Sequence, residues 1–146
     1  MKFATKTLAA SLALIAGVAF AQVEATDPLV IAQKDLMKSF GGAAKTLGGM
    51  ASGEVAFDAA AAEAAKAVLI AGSADIAVKF EKAGTDPASG SLPEIWTNWE
   101  DFLVKAKGLT DAATALDASS ADGIKAGMGG IGGACKDCHT TYRKAT

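Results

Sequence analysis

Residues 120–142 read SADGIKAGMGGIGGACKDCHTTY. Apolar and thiol side chains recur along this stretch at alternating intervals of four and three residues, at Ile124, Met128, Ile131, Cys135, Cys138 and Tyr142. These intervals place the side chains on one face of an α-helix. Ser119 or Ser120 stands just before the helix and supplies a hydroxyl that can cap its first turn. The stretch therefore predicts a long amphipathic helix that reaches about Tyr142.

Two more helices are predicted in the first half of the chain. Asp27 and Pro28 form a helix start, because a capping carboxylate precedes a ring that presets the first helical φ angle. The apolar pattern of this helix runs to about Gly49. Asp58 is a fresh N-cap for a second, alanine-rich helix. The segment 82–91 contains glycine and proline and is predicted to be a loop.

The third helix is predicted from a capping box and a regular seam. Ser91 and Glu94 have the spacing of a capping box, in which each side chain bonds to the backbone of the other. The seam that follows again alternates intervals of four and three, at Ile95, Trp99, Phe102, Ala106, Leu109, Ala113 and Leu116. No stretch alternates with a period of two, so no sheet is expected. The fold class predicted is all-α, an antiparallel four-helix bundle.

The last helix has an unusual glycine content. Between Gly123 and Gly133 six of eleven residues are glycine, and each costs about 1 kcal/mol relative to alanine inside a helix. These glycines could let a flat, bulky group lie close to the helix backbone. They could equally permit no more than a tight crossing with another helix.

The composition bounds the possible functions. A chain of 146 residues, 51% of them hydrophobic, is long enough for one domain and has no room for a second. The net charge is −2 with no basic run, which argues against nucleic acid as a partner. Two cysteines and one histidine are too few for a zinc finger.

Residues 1–21 are predicted to be a secretory signal peptide. An apolar run follows two lysines and ends in Ala-Phe-Ala at 19–21, a small-x-small cleavage site. The run is shorter than the about 20 apolar residues that a membrane span needs. We therefore expect cleavage after Ala21 and a periplasmic protein without a membrane anchor. Its mature domain, residues 22–146, keeps 12 basic and 16 acidic residues.

The sequence from Cys135 to His139 is C-K-D-C-H, and C-x-x-C-H is the attachment signature of c-type haem. Two thiols add to the two vinyl groups of haem, and the imidazole next to them reaches the iron from the same side. Export agrees with this interpretation, because c-type haem is attached outside the bacterial cytoplasm. The motif predicts one haem c in the four-helix bundle, covalently bound to Cys135 and Cys138.

Three other interpretations of the motif remain open. A thioredoxin-type C-x-x-C opens a helix after a strand, whereas this motif lies near the end of the last predicted helix. A structural disulfide suits an oxidising compartment but leaves the neighbouring histidine unexplained. A zinc site would lack a fourth ligand of the usual kind.

The chain from residue 27 to 146 resembles the class II c-type cytochromes, the cytochrome c-prime family. Three segments carry the resemblance: CKDCHTTYRK at 135–144, LPEIWTNWEDF at 92–102 and LMKSFGGAAKTLGGMASGEVAFD at 36–58. The family has a four-helix bundle with the haem motif near its C-terminus. The resemblance therefore implies that residues 22–146 form a class II cytochrome c domain.

The resemblance also implies roles for individual residues. His139 corresponds to the proximal iron ligand, and Met37 to the residue over the opposite haem face. Arg143 matches a basic residue that usually follows the proximal histidine by four positions. Gln33 stands one turn before Met37, where the family often has arginine, so Gln33 is expected to face the cofactor without a charge. Met37 also has an ordinary interpretation as a packing residue.

The family divides by what the distal residue does. Low-spin members use a distal methionine as sixth ligand and carry single electrons, and this is the expected function. High-spin members leave the iron five-coordinate and bind small gases such as NO or CO. The expected partner is a redox protein of a respiratory or photosynthetic chain, and the protein is expected to be a monomer or a homodimer.

The remaining polar residues indicate no catalytic site, so the chain is not expected to be an enzyme. Glu100 and Asp101 are expected on a solvated face rather than as an acid/base pair. Four lysines have two open interpretations, since scattered lysines usually serve only solvation but could also be predicted at the haem edge, where they would attract an anionic docking surface: Lys34, Lys38, Lys136 and Lys144.

Overall fold

The computed structural model describes residues 24–145, and the predicted signal peptide of residues 1–21 lies outside the described residues. The helices are α1 Pro28–Ser52, α2 Ala59–Lys79, α3 Glu94–Thr97, α4 Trp99–Ala115 and α5 Ala121–Tyr142. Residues 24–145 contain no strand, only an isolated bridge between Ser91 and Arg143. None of the described helices has the length and apolar character that crossing a membrane requires.

Side chains cap the starts of the long helices where the sequence predicts it. Asp27 accepts a hydrogen bond from the backbone N–H of Leu29 at 2.9 Å, and Asp58 accepts one from Ala61 at 3.0 Å. Ser120 accepts from Gly123 at 3.0 Å and begins α5. These contacts satisfy backbone donors that the first turn of a helix leaves free. The three predicted helix starts are confirmed.

The first helix ends at a left-handed glycine. Gly53 has a φ of 76°, and its backbone N–H donates to the carbonyl of Met50. Glycine adopts this conformation without the steric cost that a Cβ imposes. Helix α1 therefore continues three residues beyond the predicted end at Gly49.

The long helices form a four-membered ring. Helix α1 packs against α2 and α5, and α4 packs against the same two helices. Short connections between α1 and α2 and between α4 and α5 make each of these pairs antiparallel. The predicted all-α four-helix bundle is confirmed. The largest fully buried side chains of its core are Val30, Leu47, Leu69, Ile95, Leu116, Ile124 and Ile131.

The predicted capping box at Ser91 and Glu94 is wrong. Ser91 pairs with Arg143 in the isolated bridge, and the N–H of Leu92 donates to the carbonyl of Tyr142 at 3.0 Å. This pairing with the end of α5 keeps Ser91 out of the helix start, so α3 begins at Glu94 without a side-chain cap.

The predicted third helix is divided in two. At Asn98 the backbone leaves the helical region, with a φ of −123° and a ψ of 44°, and separates α3 from α4. Six of the seven predicted seam residues are nonetheless buried, and Trp99 is half-buried. The seam predicted the buried face correctly because the break occurs without moving that face away from the core.

The loop between α2 and α3 is tied to the start of α1 by Asp86. The buried Asp86 carboxylate accepts backbone hydrogen bonds from Thr26 at 2.6 Å, Asp27 at 3.0 Å and Ala88 at 2.7 Å. These backbone bonds, that of Asp27 foremost, hold the pKa of Asp86 well below its usual range. Asp86 therefore stays ionised at neutral pH and fixes the loop against the first helix.

The glycines of α5 fall into two groups. A Cβ at Gly127 would lie 2.4 Å from Cδ1 of Leu116, and one at Gly123 would lie 2.7 Å from the backbone oxygen of Asp117. These two glycines let the connection after α4 pass close to α5. A Cβ at Gly129, Gly132 or Gly133 would meet nothing within 4 Å. Close contact within the bundle therefore explains only part of the glycine content.

Alanine substitutions should separate the two groups. We expect Gly129→Ala and Gly132→Ala each to raise the free energy of unfolding by about 0.5–1 kcal/mol, because alanine lowers the entropy cost of the helix and meets open space. Gly127→Ala should lower it, because the buried Leu116 would have to move. Urea unfolding followed by circular dichroism measures both effects. A stabilising Gly127→Ala, or a neutral Gly132→Ala, would contradict the assignment.

Candidate cofactor site

A cavity of about 710 Å³ lies between α1, α4, α5 and the loop before α3. This volume is within the range of ligand and cofactor sites in proteins. Its wall is largely apolar and includes Val30, Phe40, Ala44, Ile76, Phe80, Ile95, Phe102, Ala106, Leu109 and Ala134. The loop contributes residues 88–91, so the anchoring of this loop by Asp86 also shapes the cavity.

Helix α5 brings both cysteines to the cavity wall. Cys135 and Cys138 line the cavity and are partly buried. Burial raises the pKa of the Cys135 thiol, and it raises the pKa of Cys138 to about 11. Both groups are therefore protonated at neutral pH, unlike the low-pKa thiolates of thiol–disulfide oxidoreductases. Both cysteines are also free, so neither the thioredoxin-type nor the disulfide interpretation gains support.

His139 lines the same cavity one residue after Cys138. Its partial burial, and to a smaller extent the charge of Arg143, lower the pKa of the imidazole. The ring is therefore neutral at pH 7 and has a nitrogen lone pair that can bind a metal. Within residues 24–145 no group of three or more His, Cys, Asp or Glu side chains is placed to hold a metal ion. The zinc interpretation thus gains no support either.

Helix α1 provides the facing part of the wall. Met37 is partly buried and lines the cavity together with Gly41. Met37 and His139 thus reach one cavity from two different helices, although 102 positions separate them in the chain. A thioether and a neutral imidazole therefore line the same cavity.

An aromatic cluster supports the α4 side of the cavity. The ring of Phe102 lies 5.6 Å from that of Phe80, 5.5 Å from Trp99 and 5.3 Å from Tyr142, between ring centroids. These separations are typical of favourable aromatic pairs. Tyr142 is 3% exposed, so the cluster packs the end of α5 directly against α4.

Asp101 has a defined contact in this cluster. The Tyr142 hydroxyl donates to the carboxylate of Asp101 at 2.6 Å. Burial and this hydrogen bond raise the pKa of Tyr142 to about 12, so the hydroxyl stays protonated. Asp101 is exposed as expected, but it also satisfies a buried hydroxyl, a contact that helical periodicity does not reveal.

Gln33 lines the cavity but uses its amide elsewhere. The side chain is 3% exposed, and its Nε2 donates to the backbone carbonyls of Lys79 at 3.1 Å and Lys82 at 3.3 Å. Gln33 therefore satisfies acceptors at the end of α2 and ties that end to α1. Its contact with the cofactor stays a prediction, and these bonds would have to break for the amide to donate to the cofactor.

Basic side chains surround the cavity. Arg143 lines it, as do three of the four lysines predicted at the haem edge, Lys34, Lys38 and Lys144. Lys136, the fourth, is exposed and does not line the cavity.

One basic residue at the cavity was missed in the sequence. Lys105 of α4 lines the cavity, and its ammonium bonds to the carboxylate of Asp137 at 2.8 Å. The only sign of this position in the sequence is that Lys105 directly precedes Ala106, a residue of the predicted buried seam.

These residues fit a c-type haem. Two protonated thiols and a neutral imidazole lie on one helix, a thioether lies on the facing helix, and the remaining wall is largely apolar. Cations at the edge would suit the carboxylates that haem carries.

Comparisons with known proteins agree with this assignment. The family model for cytochrome c' matches residues 29–143. A cytochrome c-556 of Agrobacterium fabrum is 34% identical, over 94% of this chain and 94% of the relative. A cytochrome c' of Rhodopseudomonas palustris is 35% identical, over 98% and 97%. A solved cytochrome c' structure from Rhodopseudomonas palustris superposes with a TM-score of 0.71 at 27% identity, over 81% of this chain and 97% of the other. The chain therefore belongs to the cytochrome c' family, all-α four-helix-bundle proteins that carry one covalently bound haem c.

Proposed function

We propose that this chain is an exported cytochrome that carries single electrons, with its haem held by Cys135 and Cys138 between His139 and Met37. The observation that supports this proposal is the shared cavity, since both thiols, the imidazole and the thioether line it. A haem bound there supplies one-electron exchange at its iron. The protein residues hold it, orient it and limit what else reaches it.

The cysteines attach the cofactor by an addition reaction. Each thiol S–H would add across one vinyl group of haem, with the C–S bond formed at one vinyl carbon and the thiol hydrogen taken up by the other. No oxidant or leaving group is needed. Cys135 and Cys138, three residues apart on α5, fix the cofactor at two points and leave the His139 ring beside them.

Whether the Met37 thioether binds the iron distinguishes electron transfer from gas binding. A thioether bound opposite His139 would fill the sixth position and favour the ferrous state, which raises the reduction potential. Val30 and Phe40 line the same cavity, and their apolar side chains would disfavour water on that side. We propose that Met37 is this ligand.

The second candidate function is binding of NO or CO to a five-coordinate iron. A solved structure of a ferrous variant of cytochrome c prime from Alcaligenes xylosoxidans, 27% identical to this chain with a TM-score of 0.70, has bound NO. The carbon–sulfur chain of Met37 is flexible, so this candidate holds if the side chain packs beside the cofactor without binding iron.

The site of action proposed is the periplasm. The predicted signal peptide of residues 1–21 supports export, and attachment of c-type haem takes place outside the bacterial cytoplasm. Cleavage after Ala21 is part of this proposal.

The charge around the cavity supports a negatively charged redox partner. Five of the 12 basic residues at positions 22–146 line the cavity, and none of the 16 acidic residues does. Lys34, Lys38, Arg143 and Lys144 are exposed. Two carboxylates of haem could neutralise part of this charge, and the remainder would attract acidic surfaces to the point where electrons enter.

The attachment can be tested by mass measurement. We expect the exported protein to carry one haem that acid–acetone extraction does not remove, because two thioether bonds hold it. A peptide that contains Cys135 and Cys138 should carry the added mass, and Cys135→Ala should leave a single bond at Cys138. An extractable haem in the unmutated protein would contradict the proposal.

The role of Met37 can be tested against a second methionine of α1. Met37→Ala should convert sharp low-spin bands of the reduced protein into a broad high-spin band, lower the reduction potential and speed CO binding. Met50→Ala should cost about 2–5 kcal/mol of stability, because Met50 is buried in the core, without changing the spectrum. A high-spin unmutated protein that takes up CO readily would favour gas binding instead.

The basic surface can be tested with a carboxylate-terminated monolayer on a gold electrode. At about 10 mM ionic strength, where screening is weak, Lys34→Gln/Lys38→Gln should reduce adsorption about two- to thirtyfold, since each exposed contact contributes about 0.2–1 kcal/mol. The control Lys79→Gln/Lys125→Gln removes the same charge from exposed lysines that do not line the cavity. An equal loss in both variants would show that only total charge matters.

A further inference from the structure

Lys105 differs from the other cations around the cavity in its burial. Its side chain is 18% exposed, whereas Lys34, Lys38, Arg143 and Lys144 are exposed. On the same wall it has the apolar neighbours Phe102, Ala106 and Leu109 of α4. A partly buried ammonium carries a desolvation cost unless a partner compensates it, so its position calls for an explanation.

The partner of Lys105 is Asp137, which lies inside the C-x-x-C-H motif between the two cysteines. The ammonium and the carboxylate are 2.8 Å apart, and the pair connects α4 to α5 across 32 positions of the chain. The hydrogen bond that the Lys105 ammonium donates to Asp137 raises the pKa of Lys105. The lysine therefore carries its charge at neutral pH.

The two charges of this pair lie in different surroundings. The Asp137 side chain is 65% exposed, so water and salt screen its charge, while the Lys105 side chain is only 18% exposed. A charge in a partly buried position acts over a longer range than one in water. The pair therefore presents mainly its positive member to the cavity.

Asp101 of α4 is a further charged group that acts on Lys105. It contributes, with Asp137, to the electrostatic environment of both Lys105 and Cys138. Its carboxylate accepts the hydrogen bond of the buried Tyr142 hydroxyl and is exposed. Lys105 is the lysine of α4 that lines the cavity, and its charge acts on the thiol of Cys138.

We propose that the Lys105–Asp137 pair sets the reduction potential of the haem in the cavity, with Lys105 favouring the reduced state and Asp137 opposing it. The inference rests on the proposed placement of the haem. Reduction by one electron from an electrode or a redox protein makes the site one unit more negative. A nearby cation stabilises that added charge, and a nearby anion destabilises it.

A purely structural role makes a different prediction. If the pair only fastens α4 to α5, loss of either partner lowers stability and has no reason to move the potential in opposite directions. The sign of the shift therefore distinguishes an electrostatic role from a structural one.

The test is a spectroscopic redox titration of the haem-loaded protein. At fixed applied potential, Lys105→Met should lower the ratio of reduced to oxidised protein and Asp137→Asn should raise it. Coulomb's law gives about a two- to fifteenfold change for a unit charge roughly 10 Å from the reacting atom. Lys105→Met should have the larger effect because its charge is less screened, and the double variant should return towards the unmutated value.

Matched controls are available on α4. Lys107 and Asp111 form an exposed pair, 70% and 62% exposed at 2.6 Å, so Lys107→Met and Asp111→Asn should leave the ratio unchanged. Lys105→Arg keeps the charge and should also leave it unchanged. If Lys105→Met fails to fold, Lys105→Gln removes the charge and keeps a donor for Asp137.

Shifts of the same sign in Lys105→Met and Asp137→Asn, or no shift beyond that of the controls, would overturn the inference. This failure is distinct from failure of the proposed function. A gas-binding protein also has a haem that can be titrated, so the potential reports on the ion pair whether or not electron transfer is the biological role. Thermal unfolding of each variant shows separately what the pair contributes to stability.

Discussion

The attachment chemistry requires two thiols and one imidazole on the same side of a single helix, and much of the structure serves to hold that helix in place. Tyr142, at the end of α5, packs against Phe102 and bonds to Asp101. The residues after it pair with the loop before α3, where the N–H of Lys144 donates to the carbonyl of Gly90 at 2.9 Å. Because these contacts hold the chain directly after the motif, the positions of the three side chains are defined by more than helical geometry.

The loop before α3 depends in turn on the first helix. Asp86 takes hydrogen bonds from the backbone around Asp27, and Gln33 donates to the end of α2. These polar contacts are partly buried, where an unpaired group would cost free energy. They connect α1, which carries Met37, to the loop that faces α5. The two walls of the cavity are therefore coupled through satisfied polar groups as well as through apolar packing.

The charges are distributed by depth. Exposed cations around the cavity are suited to attracting a partner from a distance, because their fields extend into solvent until salt screens them. Lys105 lies deeper and is paired, so it is better placed to act on the cofactor than on a partner. We therefore propose that the exposed cations act on association with a partner and that Lys105 acts on the cofactor.

Helix starts, buried faces and the cofactor motif could be predicted from the sequence because each depends on residues within one or two turns of a helix. Asp27, Asp58 and Ser120 cap the backbone two or three positions away, and the seams repeat every three or four residues. Residues this close in the chain could not show whether the α5 glycines serve a tight helix crossing or the close approach of a flat group. Gly127 has no room for a Cβ because the Leu116 side chain lies too close, whereas a Cβ at Gly132 would meet open space.

Only the tertiary structure decided the long-range polar contacts. Asp86 bonds to Thr26 across 60 positions, Gln33 to Lys79 across 46, and Lys105 to Asp137 across 32. Ser91, which fits a capping box by local spacing, pairs with Arg143 instead. Local patterns indicate which face of a helix is buried. Which polar groups meet on that face depends on how the helices pack, because each buried donor or acceptor needs a partner from the element packed against it.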